Sequence, residues 1–237
     1  MSVINKKIEN VYPLAPLQEG MLFHSILEPG SSQYIIQNVY TINREIDKSA
    51  IKSALYFLSK RYSILRTVFI YEKMKRPRQV VMSERELESS YLDYSHLDYD
   101  LKEQKYVKVL TEDVKRGFDL QKDSLLRLTC IKMGNSSYKI IWTIHHIIVD
   151  GWCLEILFDK FMEYYHFLLS GKSENELDRI VLREKAESVE YGAYISWLEK
   201  RDKAYAKKYW EVLLEGYDSD CEIKAMKKPE ATEEQMC

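Results

Sequence analysis

Two adjacent imidazoles, a carboxylate and a glycine stand together in the run His145-His146-Ile147-Ile148-Val149-Asp150-Gly151, at the end of an apolar stretch. Histidine, with an ordinary pKa of about 6.5, suits accepting or holding the proton of an amine or hydroxyl near neutrality, as acyl transfer requires. The preceding segment 138–144 (YKIIWTI) is β-branched and aromatic, which predicts a buried strand. Side chains alternate along a strand, so His146 should share a face with Ile144 and Trp142, and His145 the opposite face with Thr143 and Ile141. The two histidines therefore cannot do the same job. Divergence also argues against a His/His/Asp metal centre, whose ligands must converge on one ion. Taken singly, a histidine beside an apolar strand is as often a core residue with satisfied nitrogens. Gly151 adds the option of a tight turn and close backbone approach to a ligand, and Asp150 could orient the loop or neutralise a buried cation.

Positioning these groups falls to the neighbouring elements. A second apolar run, 125–133, precedes 138–144 across a Gly134-Asn135-Ser136-Ser137 turn and predicts a hairpin. Downstream, Leu154, Leu157, Phe158, Phe161, Tyr165 and Leu168 recur at helical spacing, predicting a helix over 152–169 whose N-terminal dipole favours negative charge at the histidine loop. Upstream, a helix should follow Pro16, with Leu17, Met21, Leu22 and Ile26 as its apolar face. A strand is expected near 34–42. Asp47 should N-cap a helix running to 62 with Ile51, Ala54, Leu55 and Leu58 inward. A strand over 65–71, a solvated basic loop over 73–78 and a helix over 101–116 complete the front of the chain. The charged segment 172–190 reads as a surface excursion.

The 237 residues, 46% hydrophobic, suffice for one sizeable core. A net charge of −2 gives no field favouring nucleic acid or an anionic membrane. No window approaches a membrane span, and MSVINKKIEN lacks the apolar core of a signal peptide, so a cytoplasmic location is expected. Cys130, Cys153, Cys221 and Cys237 show no CxxC spacing and read as buried thiols. Gly171-Lys172-Ser173 is spelled like part of a phosphate loop, but position 166 is His and a helix, not a strand, precedes it. GxSxG and GxGxxG signatures are missing.

HHIIVDG resembles the HHxxxDG signature of the condensation-domain superfamily of nonribosomal peptide synthetases, and further stretches occur in that family's order. VYPLAPLQEGMLFHSIL (11–27) looks like its opening motif, RYSILRTVF (61–69) like RHExLRTxF, and YGAYISW (191–197) like YxDYxxW. Tyr62, Ser63 and Ala193 depart from those patterns, so no role of the family's side chains is carried to them. The resemblance implies an α/β fold like chloramphenicol acetyltransferase, a sandwich of a mixed β-sheet with flanking helices, present here as a single lobe. The expected organisation is a docking or leader segment over 1–10, an N-terminal lobe over 11–217, and a polar tail over 218–237 leading toward a second lobe whose DFGWG motif is not found. The implied reaction is attack of a carrier-bound aminoacyl amine on an upstream carrier-bound thioester. His146 would touch the reacting amine, as general base or as a hydrogen-bond positioner, and the Gly151 amide would face the oxyanion. Asp150 is expected in an internal ion pair, with Arg61 first and Arg66 second. His145 and Trp197 are supporting. No metal or bound cofactor is expected, the 4'-phosphopantetheine arms being delivered by upstream and downstream carrier domains. The wording around Trp152 and Cys153 resembles the subtype taking a D-configured donor. An epimerisation domain, which shares the signature, and a non-catalytic docking fragment that recognises an upstream synthetase through the N-terminal segment are the alternatives.

Overall fold

The computed structural model describes residues 8–217. In chain order its elements are β1 (Ile8–Pro13), α1 (Pro16–Leu27), β2 (Ile35–Ile42), α2 (Lys48–Arg61), β3 (Thr67–Ile70), β4 (Arg78–Met82), β5 (Glu88–Asp93), α3 (Tyr99–Arg116), β6 (Leu126–Lys132), β7 (Tyr138–His145), α4 (Gly151–Leu169), α5 (Glu174–Ala186), α6 (Tyr191–Glu199) and α7 (Lys203–Leu213). Short 3-10 turns, Ser63–Arg66 and His146–Ile148, lead into β3 and out of β7.

β7 is buried along nearly its whole length because both of its edges and both of its faces are covered. It pairs antiparallel with β2 and with β6, and β6 carries β5 in parallel, giving a mixed sheet of order β2-β7-β6-β5. The expected hairpin closes through Met133 N donating to Ser137 O at 2.8 Å. Tyr138, Ile140, Trp142 and Ile144 belong to the main core with Leu55 and Leu58 of α2 and Leu157 and Phe161 of α4. On the opposite face, Ile141 joins Ile131 and Met133 against Tyr106, Val109 and Leu110 of α3. Alternation thus yields three layers, α2 and α4, the sheet, and α3.

The α3 face also buries a polar cluster. The Asp113 carboxylate accepts from Gln37 Nε2 at 2.7 Å, Thr143 Oγ1 at 2.5 Å and Arg127 Nε at 2.5 Å. Arg127, 3% exposed, donates further to Gly117 O at 2.7 Å and lies over the Phe118 ring at 4.1 Å. Every charge in the cluster is answered, which is the condition for tolerating it in a core.

Asp47 caps α2 as expected, accepting from Ser49 N and Ala50 N, and Ile51, Ala54, Leu55 and Leu58 are buried. α1 departs from expectation. Leu22 is buried, but Leu17 is 79% exposed and Ile26 is also exposed, while Gln18 turns inward. Apolar residues ring this helix, so its pattern alone could not select the buried side. The 73–78 loop ends where β4 begins, and β4 joins β1 and β3 in a separate antiparallel sheet of order β1-β4-β3. β1 takes up residues 8–10 of the expected leader, and residues 1–7 of that leader and the tail 218–237, with Cys221 and Cys237, lie outside the described residues. The expected excursion over 172–190 is instead largely the helix α5, capped reciprocally by Ser173 and Glu176 and burying Leu177 and Val181. A second unit begins at Lys200, where α7 is capped by Asp202 and buries none of its residues.

Asp113→Ala should cost about 3–5 kcal/mol, because it strands the Arg127 guanidinium in the interior. Urea unfolding measures this, and a loss below about 1 kcal/mol would show that Arg127 reaches water by itself.

Candidate active site

Strand alternation ends at His145, and His146 opens the 3-10 turn. Its amide donates to Tyr34 O at 2.8 Å, and its ring lines a cavity of about 760 Å³. The walls come from the start of α1, the turn Ser63–Arg66, the start of α4 and the segment leading into α6. Nδ1 of His146 is buried without a hydrogen-bond partner. α6 reaches the cavity because Gly192 leaves room for Tyr12, whose ring carbon would lie 3.0 Å from an added Cβ.

His145 turns away into the α3 face, 5% exposed, between the rings of Tyr34 and Phe118. Its Nδ1 accepts from Ile147 N at 3.1 Å. Burial, aided by the neighbouring His146, pushes its pKa down to about 4. It is a neutral, structural imidazole. The divergence expected from alternation is therefore present, although His146 belongs to the turn and not to the strand.

Asp150 is exposed and serves as N-cap of α4, accepting from Cys153 N at 3.0 Å. Hydrogen bonds from the Cys153 thiol and then its amide hold the carboxyl below its ordinary range. The expected ion pair with Arg61 or Arg66 is absent among the described residues. Arg61 faces Glu184 at 3.6 Å and donates to Ser188 Oγ at 3.2 Å. Arg66, the more deeply buried, donates to Glu9 at 2.5 Å, Ser59 O at 2.8 Å and Ser83 O at 3.1 Å, and also to Met82 O. The physical reason is that solvent exposure and the donors at the helix end already satisfy Asp150, and each arginine has a nearer carboxylate. Arg61 still lines the cavity, and Arg66 fastens β1 to the turn before β3.

Gly151 starts α4 without a left-handed backbone, and an added Cβ would meet nothing within 4 Å. The turn therefore does not demand glycine, which corrects one of the two reasons expected for it. Trp197 lies on α6, stacked on Tyr194 with ring centroids 5.9 Å apart, and Tyr194 is the one that lines the cavity. Residues not singled out from the sequence also line it, notably Gln18 and Glu190, as does Ser63, to which no role is carried. For Gln18 a signal existed, since it stands in the opening motif three residues after Ala15, at a capping position. Cys153 is a further wall residue with its thiol pKa raised by burial, and Cys130, deep in the core, is pushed up to about 11 by the same cause. Among the described residues no group of three or more His, Cys, Asp or Glu is placed to hold a metal ion, and no helix is long and apolar enough to cross a membrane.

The condensation domain profile matches residues 8–235. The chain belongs to the condensation domain family. It is 35% identical over 219 residues to tyrocidine synthase 2 of Brevibacillus parabrevis, covering 92% of this chain and 6% of that synthase. Gramicidin S synthase 2 of Brevibacillus brevis is 36% identical over 220 residues, covering 92% of this chain and 5% of that synthase. The chain thus spans a small fraction of the length of these relatives. Among solved structures, the starter condensation domain of rhizomide synthetase superposes with a TM-score of 0.64 at 19% identity, over 70% of this chain and 41% of that one. The first condensation domain of the CDA synthetase gives 0.61 at 17% identity, again over 70% and 41%. At such identities the structures bear on fold alone, and the fold is that of condensation domains, as expected. The sequence relatives identify the chain as a condensation domain of nonribosomal peptide synthetases, a family that forms amide bonds.

Two measurements test these assignments. Asp150→Ala should lower stability by about 0.5–2 kcal/mol, the cost of a lost cap, in urea titration; a loss above about 3 kcal/mol would reinstate a buried ion pair. For His145 the unfolded chain binds a proton near its ordinary pKa of about 6.5, whereas the folded chain refuses it until about 4. Stability should therefore fall as pH is lowered through that window, by roughly 3 kcal/mol in full. In His145→Gln the fall should be shallower by one proton, and an unchanged slope would refute the neutral assignment.

Proposed function

We propose that this chain is the N-terminal lobe of a condensation site that joins an upstream, carrier-bound peptidyl or aminoacyl thioester to the amine of a downstream, carrier-bound aminoacyl group. The observation that carries the proposal is His146 of the HHxxxDG sequence on the wall of the 760 Å³ cavity, with Nδ1 buried and unpartnered. A buried Nδ1 without a partner costs about 1–3 kcal/mol whether or not it carries the proton, a cost that marks the ring as functional and not merely structural. His146 then acts on the reacting amine, as general base or as a hydrogen-bond positioner of the amine and the tetrahedral intermediate. The amine nitrogen bonds to the thioester carbon, the carbon–sulfur bond breaks, and the amine's proton ends on the departing thiol. A thioester is already activated, so proximity and exclusion of water supply most of what the step needs. The amide of Gly151, at the N-terminus of a 19-residue helix, adds a donor toward developing negative charge.

The thioester substrates ride on 4'-phosphopantetheine arms of partner carrier proteins, and the apolar wall of Leu17, Met21, Ile64, Ile148 and Val149 suits an extended arm of that kind. A second lobe closes the cavity. Support comes from large apolar side chains left in water near its mouth, with Trp152 86% and Val189 85% exposed. Trp152 and Cys153 favour a D-configured donor, the segment 1–10 docks an upstream synthetase, and the assembly works in the cytoplasm.

The test mixes the purified chain with loaded donor and acceptor carriers and follows dipeptidyl transfer by mass spectrometry, with and without a C-terminal lobe. Transfer should require the second lobe, favour the D donor, and drop at least tenfold in His146→Ala while the fold persists, in line with the ~100-fold or greater loss typical of one oxyanion donor. Transfer by this chain alone would overturn the half-site proposal, and full transfer by His146→Ala would overturn the role of His146.

A further inference from the structure

The turn that carries His146 is fastened by hydrogen bonds that differ in kind. His145 N donates to Leu125 O at 3.0 Å, His146 N to Tyr34 O at 2.8 Å, and Val149 N to His146 O at 3.3 Å. Ile147 N is taken up by His145 Nδ1. The Ile147 carbonyl is met by a side chain 129 residues earlier, Gln18 Nε2 at 3.0 Å.

Gln18 is buried and cannot turn its amide round. Its Oε1 accepts from Ala15 N at 2.9 Å and from Gln79 Nε2 at 3.0 Å. Gln79, fully buried, spends its other donor on Pro13 O at 2.8 Å. A flipped Gln18 amide would set NH2 against the Ala15 N–H and against the Gln79 NH2, donor against donor. The Gln18 NH2 is thereby forced toward Ile147. A capping role alone does not explain this, because glutamate at the same helix position would also accept from Ala15 N. What only glutamine provides is an acceptor and a donor at once. Gln18 also lines the cavity beside His146, so whatever moves its amide moves the turn and the shape of the site together.

We infer that Gln18 is a positioning residue: its amide, locked in orientation by Ala15 N and Gln79, holds the Ile147 carbonyl and so aims the His146 ring into the cavity. The structural part stands by itself, and its effect on turnover rests on the function proposed above.

The experiment uses the full chain with histidine-selective 13C labelling, His146→Ala identifying the His146 signal among the five histidines. Gln18→Glu keeps the acceptor and loses the donor, Gln18→Met loses both, and Gln79→Met frees the Gln18 amide to flip. Circular dichroism checks the fold of each. Each folded variant at Gln18 should shift or double the His146 signal and change the rate at which diethyl pyrocarbonate modifies that ring, with a smaller change for Gln79→Met and the His145 signal still in its buried position. With a second lobe and loaded carriers, kcat should fall about tenfold or more at unchanged KM, in the range a misplacement of about 1 Å can cost. A folded Gln18→Glu or Gln18→Met with wild-type His146 signals overturns the inference. So does the unfolding of all three variants, which would make the network purely structural. A displaced His146 with undiminished turnover would leave the inference standing and count against the catalytic role of His146.

Discussion

Burial of β7 on all four sides is the constraint from which the site follows. A strand with neighbours on both edges and helices over both faces has no freedom in register, because a slip by one residue would carry Trp142 and Ile144 out of the main core. Fixed register then fixes what happens at its end. His145 is the last residue held by the sheet and is committed to the α3 face, where desolvation keeps it neutral. His146 is the first residue released from the ladder, and its ring can meet a cavity because the chain leaves the sheet there.

Polar groups in the interior act as fasteners between layers. Asp113 with Arg127 ties α3 to the sheet, Arg66 with Glu9 ties β1 to the turn before β3, and the two buried glutamines tie β1, β4 and α1 to the histidine turn. The mixed sheet and the smaller β1-β4-β3 sheet share no strand. The common core, with Phe69 of β3 and Trp142 of β7 in one cluster, joins them, and the glutamine pair adds directional bonds between β1, β4 and the histidine turn, a geometry that apolar packing alone would specify less sharply.

The parts legible in the sequence are those with a clean period. The hairpin of β6 and β7, the Asp47-capped α2 and the long α4 all have apolar residues spaced by two or by three and four. β1, β4 and β5 are illegible because their residues are mixed or polar and their pairing partners are remote, as in ESSYLD of β5. α5 is hidden because Leu177 and Val181, its buried pair, sit among charges. At the site, alternation foretells that the histidines diverge. Asp150 carries two competing signals, an aspartate just ahead of a predicted helix and a place in a family motif that suggests an ion pair; the local one, the cap, prevails because it needs no distant partner. Gln18 reaches Ile147 across most of the chain, and no local pattern encodes such a bond.

Ile35 finds its partner only in His145, and Ile42 only in Tyr138, with α2, β3, β4, β5, α3 and β6 synthesised between. Closing so long a loop is entropically slow to be rewarded, and contacts of this kind set the pace of folding. On a translating ribosome β2 must wait, apolar and unpaired, until β7 has emerged. The histidine turn is consequently assembled late, and the stretch from β2 onward is where a chaperone would have most to protect in the nascent protein.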